Sequence, residues 1–263
     1  MEGGRAGAKR MQYFGGKKAI VDYLLEVMVR ARGDRPWVEP FVGSGGVIER
    51  VRGGVRIGGD ANPYIIALLR AVRDGWDPPG YVSRGDYERA KGDYGAFEPE
   101  LVGYIGVGVT RAGKWFGTYD GDVRAKASQK PDRSSRALIA SRPLFQGVRF
   151  YYCDYRDLKI PRGSLIYCDP PYAGTGGEVD GYITWPDSGE FWEWCFERSN
   201  EGHLVFVSEY SAPAGVPCIF EIPVKSGAAH KDGKLLPRTE RLYCLDPRVR
   251  PAGIPRQLEI SWE

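Results

Sequence analysis

A short apolar run that ends in a carboxylate and two prolines occupies residues 164–172. It reads Ser164-Leu165-Ile166-Tyr167-Cys168-Asp169-Pro170-Pro171-Tyr172. The first five residues are typical of a buried β-strand. Neither proline has a backbone N–H and both have a fixed φ, so the strand must end at Asp169. The segment therefore predicts an acidic strand tip at the carboxyl edge of a sheet, where open α/β sheets bind their ligands.

A second predicted strand, Trp37 to Glu39, runs into a glycine-rich turn. The turn reads Pro40-Phe41-Val42-Gly43-Ser44-Gly45-Gly46. Glycine allows positive φ and lets the backbone pass close to a ligand, because no Cβ occupies the ligand's volume. The dinucleotide fingerprint G-x-G-x-x-G would need glycine where Ile48 stands, so a nicotinamide enzyme is disfavoured.

The E-P-F-x-G-x-G turn and the D-P-P-Y motif together resemble the Dam-like, or alpha-class, family of N6-adenine DNA methyltransferases. The resemblance implies a Rossmann-like S-adenosylmethionine-dependent methyltransferase fold, which is α/β with a mostly parallel sheet and an antiparallel closing hairpin. It implies transfer of a methyl group from S-adenosyl-L-methionine to the N6 amine of a flipped-out adenine in double-stranded DNA. Asp169, Pro170, Pro171 and Tyr172 would form the catalytic motif.

The same resemblance implies a set of cofactor-binding residues. Asp60 ends a predicted strand over residues 55–60, and its carboxylate could accept hydrogen bonds from both ribose hydroxyls. Asn62 is predicted to cap a helix that has Pro63 at its first position. The full expected set is Tyr13, Lys17, Glu39, Pro40, Phe41, Gly43, Gly45, Asp60, Asn62, Asp154 and Asp169.

Length and composition fit this reading. The 263 residues suit one large α/β domain, or a core domain with a smaller insertion. No run approaches the roughly 18 to 20 apolar residues that span a bilayer. The five cysteines are widely spaced and the two histidines form no ligand-spaced cluster, which favours reduced thiols and argues against a metal site. We expect a protein of the cytoplasm of a bacterial or phage-infected cell, either a monomer or a weak dimer.

Positive charge is concentrated in residues 102–142 rather than in the chain as a whole, whose net charge is +3. This segment has eight basic and three acidic residues, an excess of +5. Basic, aromatic and glycine residues interleaved in this way suit contact with phosphates and displaced bases. The predicted DNA-binding residues are Arg111, Lys114, Trp115, Tyr119, Arg124 and Lys126. The segment lacks the asparagine- and glycine-rich hairpin of the best-known family members and resembles the shorter form of phage-encoded relatives.

These features predict five consecutive regions. They are a disordered leader (1–10), a cofactor-binding part of the core (11–75), an inserted target-recognition region (76–147), a catalytic part of the core (148–246) and an extended tail (247–263). Residues 75–99 are turn-rich and polar, and they reveal no chemistry. Residues 219–222 and 242–245 are predicted to form the closing hairpin, and residues 225–238 a basic loop that offers a second DNA surface.

Three alternatives remain open from the sequence. The same fold could methylate the N4 amine of cytosine, although such enzymes more often carry serine in place of Asp169. It could act on RNA, or it could be an inactive DNA-binding protein on a methyltransferase scaffold. A carbon-5 cytosine enzyme is disfavoured, because it needs a nucleophilic cysteine after a proline, and only Cys218 has that neighbour, far from the motif.

Overall fold

The computed structural model describes residues 21–120, 133–171, 187–229 and 235–248. Six α-helices lie within these ranges: α1 Val21–Arg32, α2 Pro63–Arg73, α3 Arg84–Gly92, α4 Pro99–Gly108, α5 Arg133–Phe145 and α6 Ser188–Asn200. The strands in the same ranges are β1 Trp37–Glu39, β2 Arg56–Asp60, β3 Val148–Tyr152, β4 Leu165–Cys168, β5 Leu204–Glu209, β6 Cys218–Ala229 and β7 Leu235–Leu245. Short 3-10 turns occupy Ile48–Arg50, Tyr94–Ala96 and Arg111–Gly113.

The strands of the described ranges form one seven-stranded sheet in the order β3-β2-β1-β4-β5-β7-β6. β1, β4 and β5 are parallel, whereas β7 runs antiparallel to β5 and β6 antiparallel to β7. The sheet thus has parallel central strands and an antiparallel closing hairpin at one end, as the sequence predicted. The predicted fold class is confirmed.

The chain divides into two compact units, of which the first contains residues 42–52 and 58–153. Its helix α2 begins as predicted, because Asn62 Oδ1 accepts hydrogen bonds from the N–H groups of Tyr64 and Ile65. Helix α4 packs closely on α2: a Cβ added at Gly103 would lie 2.2 Å from the carbonyl oxygen of Tyr64. Only glycine at this position permits the observed approach of the two helices.

Three arginines of this first unit donate to backbone carbonyl groups. Both Nε and Nη2 of Arg70 donate to the Phe150 oxygen, and Nη1 of Arg73 donates to Val148. Arg142 donates to the carbonyls of Val72 and Trp76. These guanidinium groups fasten α2 to β3 and α5 to the end of α2, so they serve the packing of the unit.

Regular structure is also present where the sequence predicted none. Residues 84–92 form α3, which Ser83 caps by accepting a hydrogen bond from the N–H of Asp86 at 3.0 Å. The sequence analysis described residues 75–99 only as turn-rich and polar, and it did not predict this segment's helix. Its high polarity hid the helix, because α3 buries only Tyr87 and Ala90.

Among the described residues, the second unit contains 21–41, 53–57, 154–171, 187–229 and 235–248. β4 lies between β1 and β5, and Ile166 pairs with Val38 on one side and Val205 on the other. Helix α6 packs its apolar side chains on the sheet, with the Trp192 and Tyr243 rings 5.8 Å apart. Among the described residues, none of the helices combines the length and apolar character needed to cross a membrane.

The closing hairpin is longer than predicted. Strands β6 and β7 remain paired as far as Ala229 and Leu235. The expectation of a basic loop over residues 225–238 was therefore wrong for the described part of that range, which is largely strand. This segment has a low apolar content, and pairing with the neighbouring strand holds it in an extended conformation. Such pairing is a tertiary effect that local sequence does not reveal.

Candidate active site

Asp60 and the glycine-rich turn are joined directly within the first unit. Asp60 ends β2, and its Oδ2 accepts a hydrogen bond from the Gly43 N–H at 2.9 Å. Its Oδ1 accepts another from the Asn62 N–H, also at 2.9 Å. Gly43 and Gly45 both have positive φ, at 49° and 74°, so the turn has the conformation for which glycine was predicted.

The chemistry of Asp60 fits a ribose-binding role. Each carboxylate oxygen accepts one backbone N–H, and an ionised carboxylate has about four acceptor positions in all. Capacity for two further donors therefore remains, as a pair of ribose hydroxyls requires. Desolvation raises the pKa of Asp60 to about 6, although the hydrogen bonds from Asn62 and Gly43 act in the opposite direction.

The predicted catalytic motif leaves the sheet beside β1, within the second unit. β1 and β4 are parallel neighbours, so Pro40 after β1 and Asp169 after β4 emerge at the same sheet edge. Asp169 is partly exposed, whereas Pro170 is buried. A carboxylate and a prolyl carbonyl are thus presented next to each other by consecutive residues, and neither proline adds a competing N–H donor.

Glu39 is held on the last residue of β1. It is 2% exposed, and its Oε1 accepts a hydrogen bond from the Trp37 indole Nε1 at 2.7 Å. The indole donor offsets part of the cost of burying this carboxylate. The sequence predicted Glu39 at this place, but it did not predict Trp37 as its partner.

Asp154 follows β3 and lies in a small charged cluster of the second unit. Its carboxylate is bound on both oxygens by Arg156, at 2.8 and 3.1 Å, and the same guanidinium reaches Glu190 at 3.3 Å. Burial acts to raise the pKa of Asp154, but the hydrogen bonds from Arg156 outweigh it and lower that pKa. Any contact of Asp154 with a cofactor would share the carboxylate with Arg156.

Residues 13–90 match the family model of the D12 class N6 adenine-specific DNA methyltransferases. The match is a similarity over that segment, which is less than half of the 263 residues. The matched residues include the glycine-rich turn, Asp60 and Asn62, together with Tyr13 and Lys17. The resemblance to the Dam-like family is thereby confirmed.

Other comparisons with this chain are more distant. A search of curated proteins finds no match. The crystal structure of SMU.472 complexed with SAH is similar with a TM-score of 0.31 and 12% identity, over 85% of this chain and 52% of that chain. The chain thus spans about half the length of that protein. A likeness this low does not bear on function.

Several residues predicted for a D12-class site lie outside the described residues. They are Tyr13, Lys17, Tyr172, Arg124 and Lys126. Of the DNA-binding residues that are described, Arg111 is exposed and Lys114 is partly exposed. Within the described ranges, no group of three or more potential metal ligands is present.

Trp115 and Tyr119 are buried, although the sequence predicted that they face DNA. They are 2% and 8% exposed, and they pack in an aromatic cluster with Tyr64, Tyr87, Tyr94 and Phe116. The hydroxyl of Tyr119 donates to the Val82 carbonyl at 2.6 Å. The prediction failed because aromatic residues between glycines and basic residues are also typical of a small packed core.

Sequence reasoning missed the pairing of Tyr167 with Ser208. Their hydroxyl oxygens are 3.0 Å apart on the neighbouring strands β4 and β5, next to Asp169. Both residues were visible in predicted strands. Strand alternation places Tyr167 on the same face as Asp169, and this signal could have identified it.

Proposed function

We propose that this chain transfers a methyl group from S-adenosyl-L-methionine to the N6 amine of an adenine in DNA. The observation that carries the proposal is the pairing of β1 with β4. It places the start of the D12-class glycine turn and the Asp169-Pro170-Pro171 motif at one sheet edge. The family match over residues 13–90 supports the same reaction.

The chain's own groups would activate a weak nucleophile. The adenine amine is poorly nucleophilic because its lone pair is delocalised into the ring. Asp169 would accept one amine hydrogen and the Pro170 carbonyl the other, which withdraws the lone pair from conjugation. Oxygens already in place would also stabilise the positive charge that develops on nitrogen.

The cofactor would be held by the residues predicted for it. We assign Asp60 to the ribose hydroxyls, and Gly43 and Gly45 to the turn beneath the cofactor. The remaining proposed contacts are Tyr13, Lys17, Glu39, Pro40, Phe41, Asn62 and Asp154. When bound, S-adenosyl-L-methionine supplies the electrophilic methyl group. The residues of the chain hold the two reactants in line, which supplies much of the acceleration.

DNA would enter as a duplex with the target adenine flipped out, at a cost of a few kcal/mol that backbone contacts offset. Tyr172 would stack on the flipped base. Arg111, Lys114, Arg124 and Lys126 remain the proposed phosphate contacts. We assign residues 76–147 to target recognition, and residues 11–75 and 148–246 to the two parts of the methyltransferase core.

The test is transfer of a tritiated methyl group to unmethylated DNA, followed by sequencing that identifies the modified base. We expect N6-methyladenine in one sequence context. Asp169→Ala should lower transfer by at least about a hundredfold, because a preorganised electrostatic partner is lost. Asp157→Ala, at an exposed turn residue of the same unit, is the matched control and should retain full activity. Methylation of cytosine instead of adenine, or full activity of the Asp169 variant, would contradict the proposal.

A further inference from the structure

A buried hydrogen bond joins β4 and β5 immediately before the catalytic motif. The hydroxyl oxygens of Tyr167 and Ser208 are 3.0 Å apart, and each residue is 1% exposed. Tyr167 lies on β4, two residues before Asp169, which follows the strand. The bond therefore links two adjacent strands at the point where the motif leaves the sheet.

These side chains share one face of the sheet. Cys168 pairs with Val207, so Asp169 follows at the level of Ser208. Alternation along β4 then places Tyr167 and Asp169 on the same face. β1 adds Trp37 and Glu39 to this face, since Val38 pairs with Ile166, and the rings of Trp37 and Tyr167 are 6.3 Å apart.

The regular pairing of β4 with β5 stops just before the motif. Paired residues of β4 and β5 end at Cys168 and Val207. The next two residues after Asp169 are prolines, which have no N–H with which to extend the ladder. The Tyr167–Ser208 hydrogen bond is thus a side-chain connection between the two strands directly ahead of the motif.

The phenol of Tyr167 stays neutral. Burial raises its pKa well above the usual value, and the nearby carboxylates of Asp169, Glu39 and Glu240 raise it further, although the hydrogen bond with Ser208 lowers it. A phenol that does not ionise cannot serve as a base. The Tyr167 phenol can instead provide a fixed dipole near the Asp169 carboxylate and a fixed separation between β4 and β5.

We propose that Tyr167, held by Ser208, is a positioning residue that fixes the Asp169 carboxylate for the target amine. The inference rests on the proposed function. In-line transfer depends on the placement of the accepting oxygens, and a displacement of about 1 Å can lower the rate about a hundredfold. The hydroxyl pair prevents such a displacement by tying β4 to β5.

The experiment compares Tyr167→Phe, Ser208→Ala and the double variant with the parent chain. Each single variant should lower kcat by about tenfold or more while leaving the dissociation constant of S-adenosyl-L-methionine unchanged. The double variant should be no worse than the singles, because both remove the same bond. A crystal structure of Tyr167→Phe should show the Asp169 side chain displaced or in more than one rotamer.

Ser164→Ala is the matched control. Ser164 is fully buried at the opposite end of β4, and its hydroxyl donates to the Pro161 carbonyl at 2.6 Å. This variant should lose a similar amount of thermal stability and keep the parent kcat. A general packing effect would instead lower kcat in proportion to melting temperature in all variants, and that result would overturn the inference.

The outcomes separate this inference from the function on which it rests. A parent chain that transfers no methyl group to DNA would refute the proposed function and the inference with it. An active parent, with kcat of both single variants within about twofold of its own, would refute the inference alone. An unmoved Asp169 in the Tyr167→Phe crystal structure would have the same effect, whatever the kinetics.

Discussion

Asp60 has a carboxylate whose charge depends on its surroundings. In the folded chain its pKa is about 6, against an ordinary value of 3.8, because of desolvation. Between these two values the folded state binds more protons than the unfolded state. In the absence of a ligand, protonated Asp60 therefore contributes to the free energy of unfolding at low pH. This contribution is lost as the pH rises through the window.

Cofactor binding should have the opposite pH dependence. Ribose hydroxyls donate to the ionised carboxylate, so the affinity should fall by about tenfold between pH 7.5 and pH 5 as Asp60 is protonated. Asp60→Asn should bind more weakly at pH 7.5 and lose this pH dependence. Calorimetric titration at the two pH values measures both effects. An unchanged pH dependence in the variant would exclude Asp60 as its source.

Gly45 should be far less tolerant of substitution than Gly53, although both have positive φ. A Cβ at Gly45 would lie 2.8 Å from Phe145 Cε1, whereas a Cβ at Gly53 meets nothing within 4 Å. Backbone strain should cost each alanine variant about 1 to 2 kcal/mol, and overpacking should add about 1 to 3 kcal/mol at Gly45. Urea unfolding measures the difference, and equal losses would contradict the proposed contact with Phe145.

Helices α2 and α3 begin with comparable caps that have different surroundings. Asn62 caps α2, and its own N–H donates to Asp60, whereas the Ser83 cap of α3 has no such link to Asp60. The start of α2 therefore contributes to helix stability and to the proposed ribose site. The two caps can be used to separate these contributions.

Asn62→Ala and Ser83→Ala should each lower the free energy of unfolding by about 1 kcal/mol through loss of the cap. Only Asn62→Ala should also weaken binding of S-adenosyl-L-methionine, because the cap orients the N–H that donates to Asp60. Chemical denaturation and calorimetry give the two quantities for each variant. Equal weakening of binding in Ser83→Ala would show that helix stability alone governs affinity.

The elements that sequence analysis predicted well are those set by local chemistry. Asn62 with Pro63 marked the start of α2, and the two prolines after Asp169 marked the end of β4. The burial of Trp115 could not be predicted in this way, because it depends on Gly106, where a Cβ would lie 2.4 Å from its ring. Such a fit appears only when both elements are in place.

The path of the chain joins the two units at five points in sequence, near residues 17, 41, 52, 57 and 153. A single cut therefore cannot separate them. β4, from the second half of the chain, pairs with β1 near its beginning. The whole chain must be present before the second unit can complete its sheet.

A fragment of residues 154–263 should consequently fail to fold. Without β1 it would expose the backbone of the apolar strand β4, and an unpaired apolar edge favours aggregation. Circular dichroism and size-exclusion chromatography of the fragment, with the full chain as the reference, test this expectation. A monomeric fragment with a cooperative thermal transition would contradict it.

The hydrogen bonds of Arg70, Arg73 and Arg142 to backbone carbonyl oxygens alter how the formal charge should be interpreted. Because these groups donate to carbonyl oxygens, they are poorly placed to displace the cation atmosphere of a polyanion. Lysine at the same positions would preserve the electrophoretic charge but lack the planar fork that serves these oxygens. DNA binding should therefore release fewer cations from the DNA than the number of basic residues implies. The ionic-strength dependence of DNA affinity should be correspondingly weaker.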